Sequence, residues 1–120
     1  MYVSDLRTYK RSRYMILLTR SEELVLLAIW KLKDQAYGIP MQELISKWTG
    51  HDWAIGAIYK PLKQLNHKDL VSKEMTEPTA ERGGRSKFIY KMTPKGEEAL
   101  REIRKIQNEA WNDSLGSVAN

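Results

Sequence analysis

Apolar residues in this chain fall into four helical stretches and one pair of alternating runs. "ELVLLAIWKL", Glu23 to Leu32, is apolar almost all round, which predicts a central helix covered on most sides. Thr19 and Ser21 stand ahead of it as candidate N-caps, and Glu22 follows Thr19 at the spacing of a capping box. Asp34 to Tyr37 reads as a connection, and Gly38 as a turn residue. In "IPMQELISKW" the positions Ile39, Met41, Leu44, Ile45 and Trp48 suit one face of a second helix. Pro40 lies in its first turn, and Gly50 stands where a left-handed C-cap belongs.

A third helix is predicted over residues 54–68, with Ile55, Ile58, Tyr59, Leu62 and Leu65 pointing inward. Lys60, Lys63, Gln64 and His67 lie on its other side. Pro61 removes a backbone donor, and is acceptable only within the first two turns or so of the helix. Two strand-like runs follow, Leu70–Glu77 and Lys87–Met92. In the first, Val71, Lys73 and Met75 alternate with polar neighbours; in the second, Phe88, Ile89 and Tyr90 are strong β-formers. The segment between them, 78–86, is long for a hairpin loop and carries Gly83-Gly84 inside a basic sequence. Thr93-Pro94 then reads as an N-cap with proline at the first helical position, opening a last helix to about Asn112. Its apolar positions are Ala99, Leu100, Ile103, Ile106, Ala110 and Trp111. Four of these, Ala99, Ile103, Ile106 and Ala110, make a coiled-coil-like seam that meets either a second copy or the chain's own domain.

Three helices, a two-stranded wing and a closing helix make a mainly α chain with a small β-hairpin: a winged helix-turn-helix plus a C-terminal dimerisation helix. The expected divisions are an N-terminal basic arm at 1–18, a DNA-binding domain at 19–93, the dimerisation helix at 94–113 and a frayed tail at 114–120.

Charge sharpens this picture. The chain has 120 residues and a net charge of +5, unevenly spread. Residues 1–20 carry +4, residues 54–96 carry +5, and 21–53 and 97–120 carry −2 each. Positive charge thus gathers on the arm, the third helix and the wing, and a polyanion is the partner to test first. Lys60 and Lys63 can neutralise phosphates, while Gln64 either pairs with adenine or is simply a solvated helix residue. Arg82, Arg85 and Lys87 flank the glycine pair, and arginine is favoured in a narrow minor groove.

Other chemistries find little footing. There is no cysteine, which excludes disulfides, thiolate metal sites and cysteine nucleophiles. His51 and His67 are the only histidines and assemble no catalytic set, so an enzyme, a metal site and a cofactor are not expected. The longest apolar run is too short to cross a bilayer and no secretory signal is read, so a cytoplasmic setting is expected. Of the tryptophans, Trp30 and Trp48 fit core stripes, Trp53 wedges the turn before the third helix, and Trp111 ends the seam.

Three motifs carry a resemblance. "EELVLLAIWKLKDQAYGIPM", "WAIGAIYKPLKQLNHKDLV" and "GGRSKFIYKMTPKGEEAL" resemble, in order, segments of the PadR-like transcriptional regulators, in the branch with one short C-terminal helix. The resemblance spans about residues 20–112. It implies a homodimeric repressor of near-palindromic operators, paired mainly through the C-terminal helix with help from the N-terminal one. It also implies roles in DNA contact for Tyr37 and Gly38, for Gly56, Ala57 and Tyr59 at the start of the recognition helix, and for Arg85 and Lys87 in the wing. Tyr59 reads equally as a core tyrosine with a wet tip. For some relatives the resemblance implies release by a small aromatic effector, with Trp111 either a candidate pocket residue or simply part of the hydrophobic packing. Asp69 departs from the glycine usual before Leu70, and Ala54 and Ala57 from common hydroxyl residues. The competing reading is a winged-helix module that binds protein instead of DNA. The basic residues of the third helix and wing argue against it.

Overall fold

The computed structural model describes residues 17–76 and 87–115. Its elements are α1 (Arg20–Leu32), a 3-10 turn (Lys33–Gln35), α2 (Gly38–Thr49), α3 (Ile55–His67), β1 (Val71–Met75), β2 (Phe88–Met92) and α4 (Pro94–Leu115). The arm up to residue 16, the wing tip at 77–86 with Arg82, Gly83, Gly84 and Arg85, and the tail from 116 lie outside the described residues.

Helix α1 starts where the capping box places it. Thr19 Oγ1 accepts from the Glu22 amide at 3.1 Å, and Glu22 Oε1 accepts from the Thr19 amide at 2.9 Å. Glu22 also reaches Lys68, just past α3, at 3.0 Å. Only 5% of this carboxylate residue is exposed, so its cap and ion pair are what make its burial tolerable. Val25, Leu26, Ala28 and Ile29 are buried against α2 and α3. Each large side chain among them contributes roughly 1.5–3 kcal/mol, against about 1 kcal/mol for an N-cap, so the core decides where α1 lies.

The first strand pair forms an antiparallel hairpin with Val71 opposite Met92 and Met75 opposite Phe88. Ala36 is buried and its carbonyl accepts from the Tyr90 amide at 2.9 Å, tying the α1–α2 connection to the outer side of β2. Helix α4 opens as expected: Thr93 Oγ1 accepts from the Gly96 amide at 3.0 Å. Gly96 is buried so tightly that a Cβ would collide with the Leu70 carbonyl oxygen, and that same oxygen accepts from the Thr93 amide at 3.0 Å. The Thr-x-x-Gly motif is therefore the joint that seats α4 on the root of the wing. No described helix is long and apolar enough to cross a membrane.

Several expected positions differ. Gly38 is the first residue of α2 rather than a turn residue, with Tyr37 as the N-cap. Gly50, by contrast, has the left-handed conformation anticipated for it, φ 74°. Ile39 and Trp48 are exposed, because the core takes only the Met41–Ile45 side of α2 and half of Leu44. On α3, Ile55 and Tyr59 are exposed and Pro61 is buried with Ile58, Leu62 and Leu65. The inward stripe thus runs through the proline, whose ring needs no backbone partner and fills the core. On β1 only Val71 is buried and Met75 is 64% exposed, while on β2 Tyr90 is buried two pairs farther along the hairpin. Helix α4 continues to Leu115, beyond the expected end near Asn112.

Candidate nucleic-acid interface

Helices α2 and α3 meet the hairpin at one place. Gly38, at the head of α2, is buried beside Tyr59 of α3, and a Cβ there would lie 2.5 Å from the tyrosine hydroxyl oxygen and 3.5 Å from Ile55 Cδ1. Next to Gly38, the Tyr37 ring lies under Lys87 Nζ, 3.3 Å from the ring centroid, at the foot of β2. That is a cation–π contact. The Tyr90 hydroxyl is held above its ordinary pKa, first by burial and then by Tyr59. Tyr37, Gly38, Tyr59 and Lys87 are therefore brought together from three elements, although up to 50 positions separate them in the chain.

Lys60, Lys63 and Gln64 are exposed along α3, as is His67. The whole helix, "IGAIYKPLKQLNH", holds no carboxylate. Gly56 and Ala57 are exposed in its first turn, and nothing lies within 4 Å of where a Gly56 Cβ would be. Neither α2 nor α3 has a side-chain cap at its N-terminus or an acid in its first turn, unlike α1, which has both. Two helix starts thus leave the positive end of the helix dipole without a neutralising acid, which suits phosphate. Farther along the hairpin, Lys73 Nζ sits 4.2 Å from the Phe88 ring centroid, adding charge on the wing's flank. Among the described residues no group of three or more His, Asp or Glu side chains could hold a metal ion.

The expected seam on α4 is divided by the fold. Ala99 and Leu100 are buried in the chain's own core, which corrects their placement on an intermolecular face. Beyond them Ile103 is half-buried, while Ile106, Ala110 and Trp111 are exposed, Trp111 to 62%. Trp30 is half-buried and packs against the core as expected, whereas Trp48 is 41% exposed, which corrects its assignment. Leu27 and Trp30 of α1, with Leu100, Arg104 and Trp111 of α4, line a groove of about 530 Å³. The periodicity of α1 could not show this groove, because an all-round apolar helix looks the same whether covered or open. Trp53 is half-buried beside the α2–α3 turn, as expected for a wedge.

Comparison with known proteins follows this geometry. Residues 26–102 match the model of the transcriptional regulator PadR-like family. No curated protein matches the chain. Among solved structures, a PadR-like transcription factor from Bacteroides fragilis superposes with TM-score 0.64 at 24% identity, covering 95% of this chain and 98% of that one. A PadR family transcriptional regulator from Eggerthella lenta gives TM-score 0.61 at 20% identity, covering 98% and 95%. BpsR of Bordetella bronchiseptica, whose DNA binding is regulated by 6-hydroxynicotinic acid, gives 0.56 at 18% identity, covering 92% and 80%. At these identities the superpositions establish the winged-helix fold alone, while the family match extends over most of the chain. The chain belongs to the PadR-like family of transcriptional regulators.

Proposed function

We propose that the protein is a homodimeric, cytoplasmic repressor that lays α3 in the major groove of double-stranded DNA and sets the wing at 78–86 against the adjacent minor groove. The observation that carries this reading is the carboxylate-free outer face of α3, with exposed Lys60, Lys63 and Gln64, beside a wing root where Lys87 lies on Tyr37. A single helix fits the major groove, and the two lysines suit flanking phosphates. The starts of α2 and α3, without an acid or a side-chain cap, suit further phosphates, and Gly56 lets the backbone come close. Arg82 and Arg85, on the segment joining the strands, supply the minor-groove contacts.

Self-association is supported by α4. Its C-terminal part exposes Trp111 beside the half-buried Leu27 and Trp30 of α1, and Ile106 on another side of the helix. In a dimer that reads two half-sites, the two recognition helices lie about 34–36 Å apart, one DNA turn. The α1–α4 groove, with Trp30, Trp111 and Arg104, also suits a small planar aromatic effector, in keeping with the ligand regulation of BpsR.

An electrophoretic shift with random-sequence duplex tests the reading. At low salt the protein retards the duplex, and Arg85→Ala weakens the shift. No retardation at high protein concentration would favour a protein partner instead.

A further inference from the structure

The local sequence of α3 is a poor start for a helix. Ala54 offers no side-chain cap, Gly56 is a weak helix former, Ile55 and Ile58 are β-branched, and Pro61 forfeits the bond to the Ala57 carbonyl. The first turn is also exposed, with Ala54, Ile55, Gly56 and Ala57 all open to solvent. What fixes this turn must come from outside the helix.

The source is a row of polar side chains on α2. Gln42 Nε2 donates to the Trp53 carbonyl at 2.6 Å, the Trp53 amide donates to Ser46 Oγ at 3.0 Å, and Trp53 Nε1 donates to Thr49 Oγ1 at 2.9 Å. Each polar atom of Trp53 is thereby bonded to α2, one residue before the α3 N-cap. The three donors and acceptors stand at positions 42, 46 and 49, spaced four and three apart, and so share one helix face. Thr49 Oγ1 in turn donates to the Ile45 carbonyl at 2.9 Å, which fixes its own rotamer. On its other side Trp53 lines a groove with Gly56, Ala57 and Lys60 of α3.

We infer that Gln42, Ser46 and Thr49 are positioning residues for DNA recognition: by clamping Trp53 they fix the angle at which α3 leaves α2, and with it the discrimination between DNA sequences. The inference rests on the DNA-binding reading above. It separates two quantities that α3 supplies. Attraction of lysines to phosphates tolerates a tilt of the helix, whereas alignment with base edges does not, since recognition geometries fail beyond about 0.5 Å or 10–20°. Loosening the clamp should therefore spare random-duplex affinity and cost specificity.

The test begins with duplexes selected from a random pool by the unsubstituted protein, and compares its affinity for the selected and for random sequence. In Gln42→Leu/Ser46→Ala the ratio of the two falls about tenfold or more, a modest share of the discrimination typical of such proteins. Its random-duplex affinity stays within about threefold. Thr49→Val, which removes one bond with little change in volume, gives a smaller loss of the same kind, and Thr49→Ser restores the ratio. An unchanged ratio in both the double variant and Thr49→Val overturns the inference. So does a parallel fall of both affinities that tracks a loss of melting temperature, since that is a purely structural role. Failure of the unsubstituted protein to bind any duplex would instead overturn the DNA-binding reading itself.

Discussion

Gly38 and Tyr59 approach so closely that one added carbon on the glycine would lie 2.5 Å from the tyrosine hydroxyl oxygen. Gly96 is packed at least as tightly, but against the Leu70 carbonyl of the backbone. The difference decides the cost of substitution. Tyr59 is 46% exposed and can swing away, so Gly38→Ala should lose less than about 1 kcal/mol. The Leu70 carbonyl cannot move without breaking its bond to the Thr93 amide, so Gly96→Ala should lose about 2–3 kcal/mol. Urea denaturation measures both. If Tyr59 meets DNA, Gly38→Ala also weakens binding. Because Tyr59→Phe removes the clashing oxygen, Gly38→Ala should cost less stability in that background.

Among the described residues two non-glycine positions have positive φ, Lys33 at 52° and Asp69 at 61°. Lys33, with ψ −120°, lies outside the left-handed helical well and carries strain of about 1–3 kcal/mol. Glycine would relieve it at a cost of about 0.5–1 kcal/mol in unfolded-chain freedom, so Lys33→Gly should stabilise by about 1 kcal/mol. Aspartate tolerates the left-handed well, so at Asp69 the two effects nearly cancel. The midpoint of urea unfolding should therefore rise clearly for Lys33→Gly and little for Asp69→Gly. The reverse order would contradict the strain assignment.

How much of this was legible in the residues varies by element. Caps were readable because Thr19, Glu22, Gly50, Thr93 and Pro94 act within a few positions of themselves. Helix faces were readable only where the core covers a full stripe. On α3 the expected stripe held Ile55 and Tyr59, and the core instead took Pro61, because the helix's outer flank faces the head of α2. Ile39 and Trp48 were misplaced for the same reason: periodicity gives a direction but not what stands opposite. Contacts such as Glu22 with Lys68, Ala36 with Tyr90 and Lys87 with Tyr37 join distant segments, and no local pattern announces them. Of the candidate site, the exposed charge of Lys60 and Lys63 on α3 was legible. The buried glycine joint between α2 and α3 was not.

The Tyr90 side chain is buried, and burial holds its hydroxyl pKa above the ordinary value of 10.0. A raised folded-state pKa means that its contribution to stability is fully present below pH 10 and is lost as pH rises through the folded value. Tyr90→Phe cannot ionise, so its stability should fall less steeply above pH 10 than that of the unsubstituted protein. Equal slopes in pH-dependent urea unfolding would refute this.

Ile106 on α4 is 42% exposed and has no described cover within its own chain's core. In a dimer formed through α4, Ile106→Asp would bury a charge at the contact, at a cost of several kcal/mol. Light scattering should report half the mass of the unsubstituted protein, with the far-ultraviolet circular dichroism of the monomer retained. A mass that stays dimeric would move the interface elsewhere.

The salt dependence of duplex affinity most directly tests the central proposition that α3 meets DNA through its cationic face. Fluorescence anisotropy with labelled duplex should show affinity falling linearly on logarithmic axes as salt rises. Lys63→Ala should weaken binding and reduce the slope by about 1, the value of one lost phosphate contact. An affinity and slope that Lys60→Ala and Lys63→Ala both leave unchanged would contradict the account.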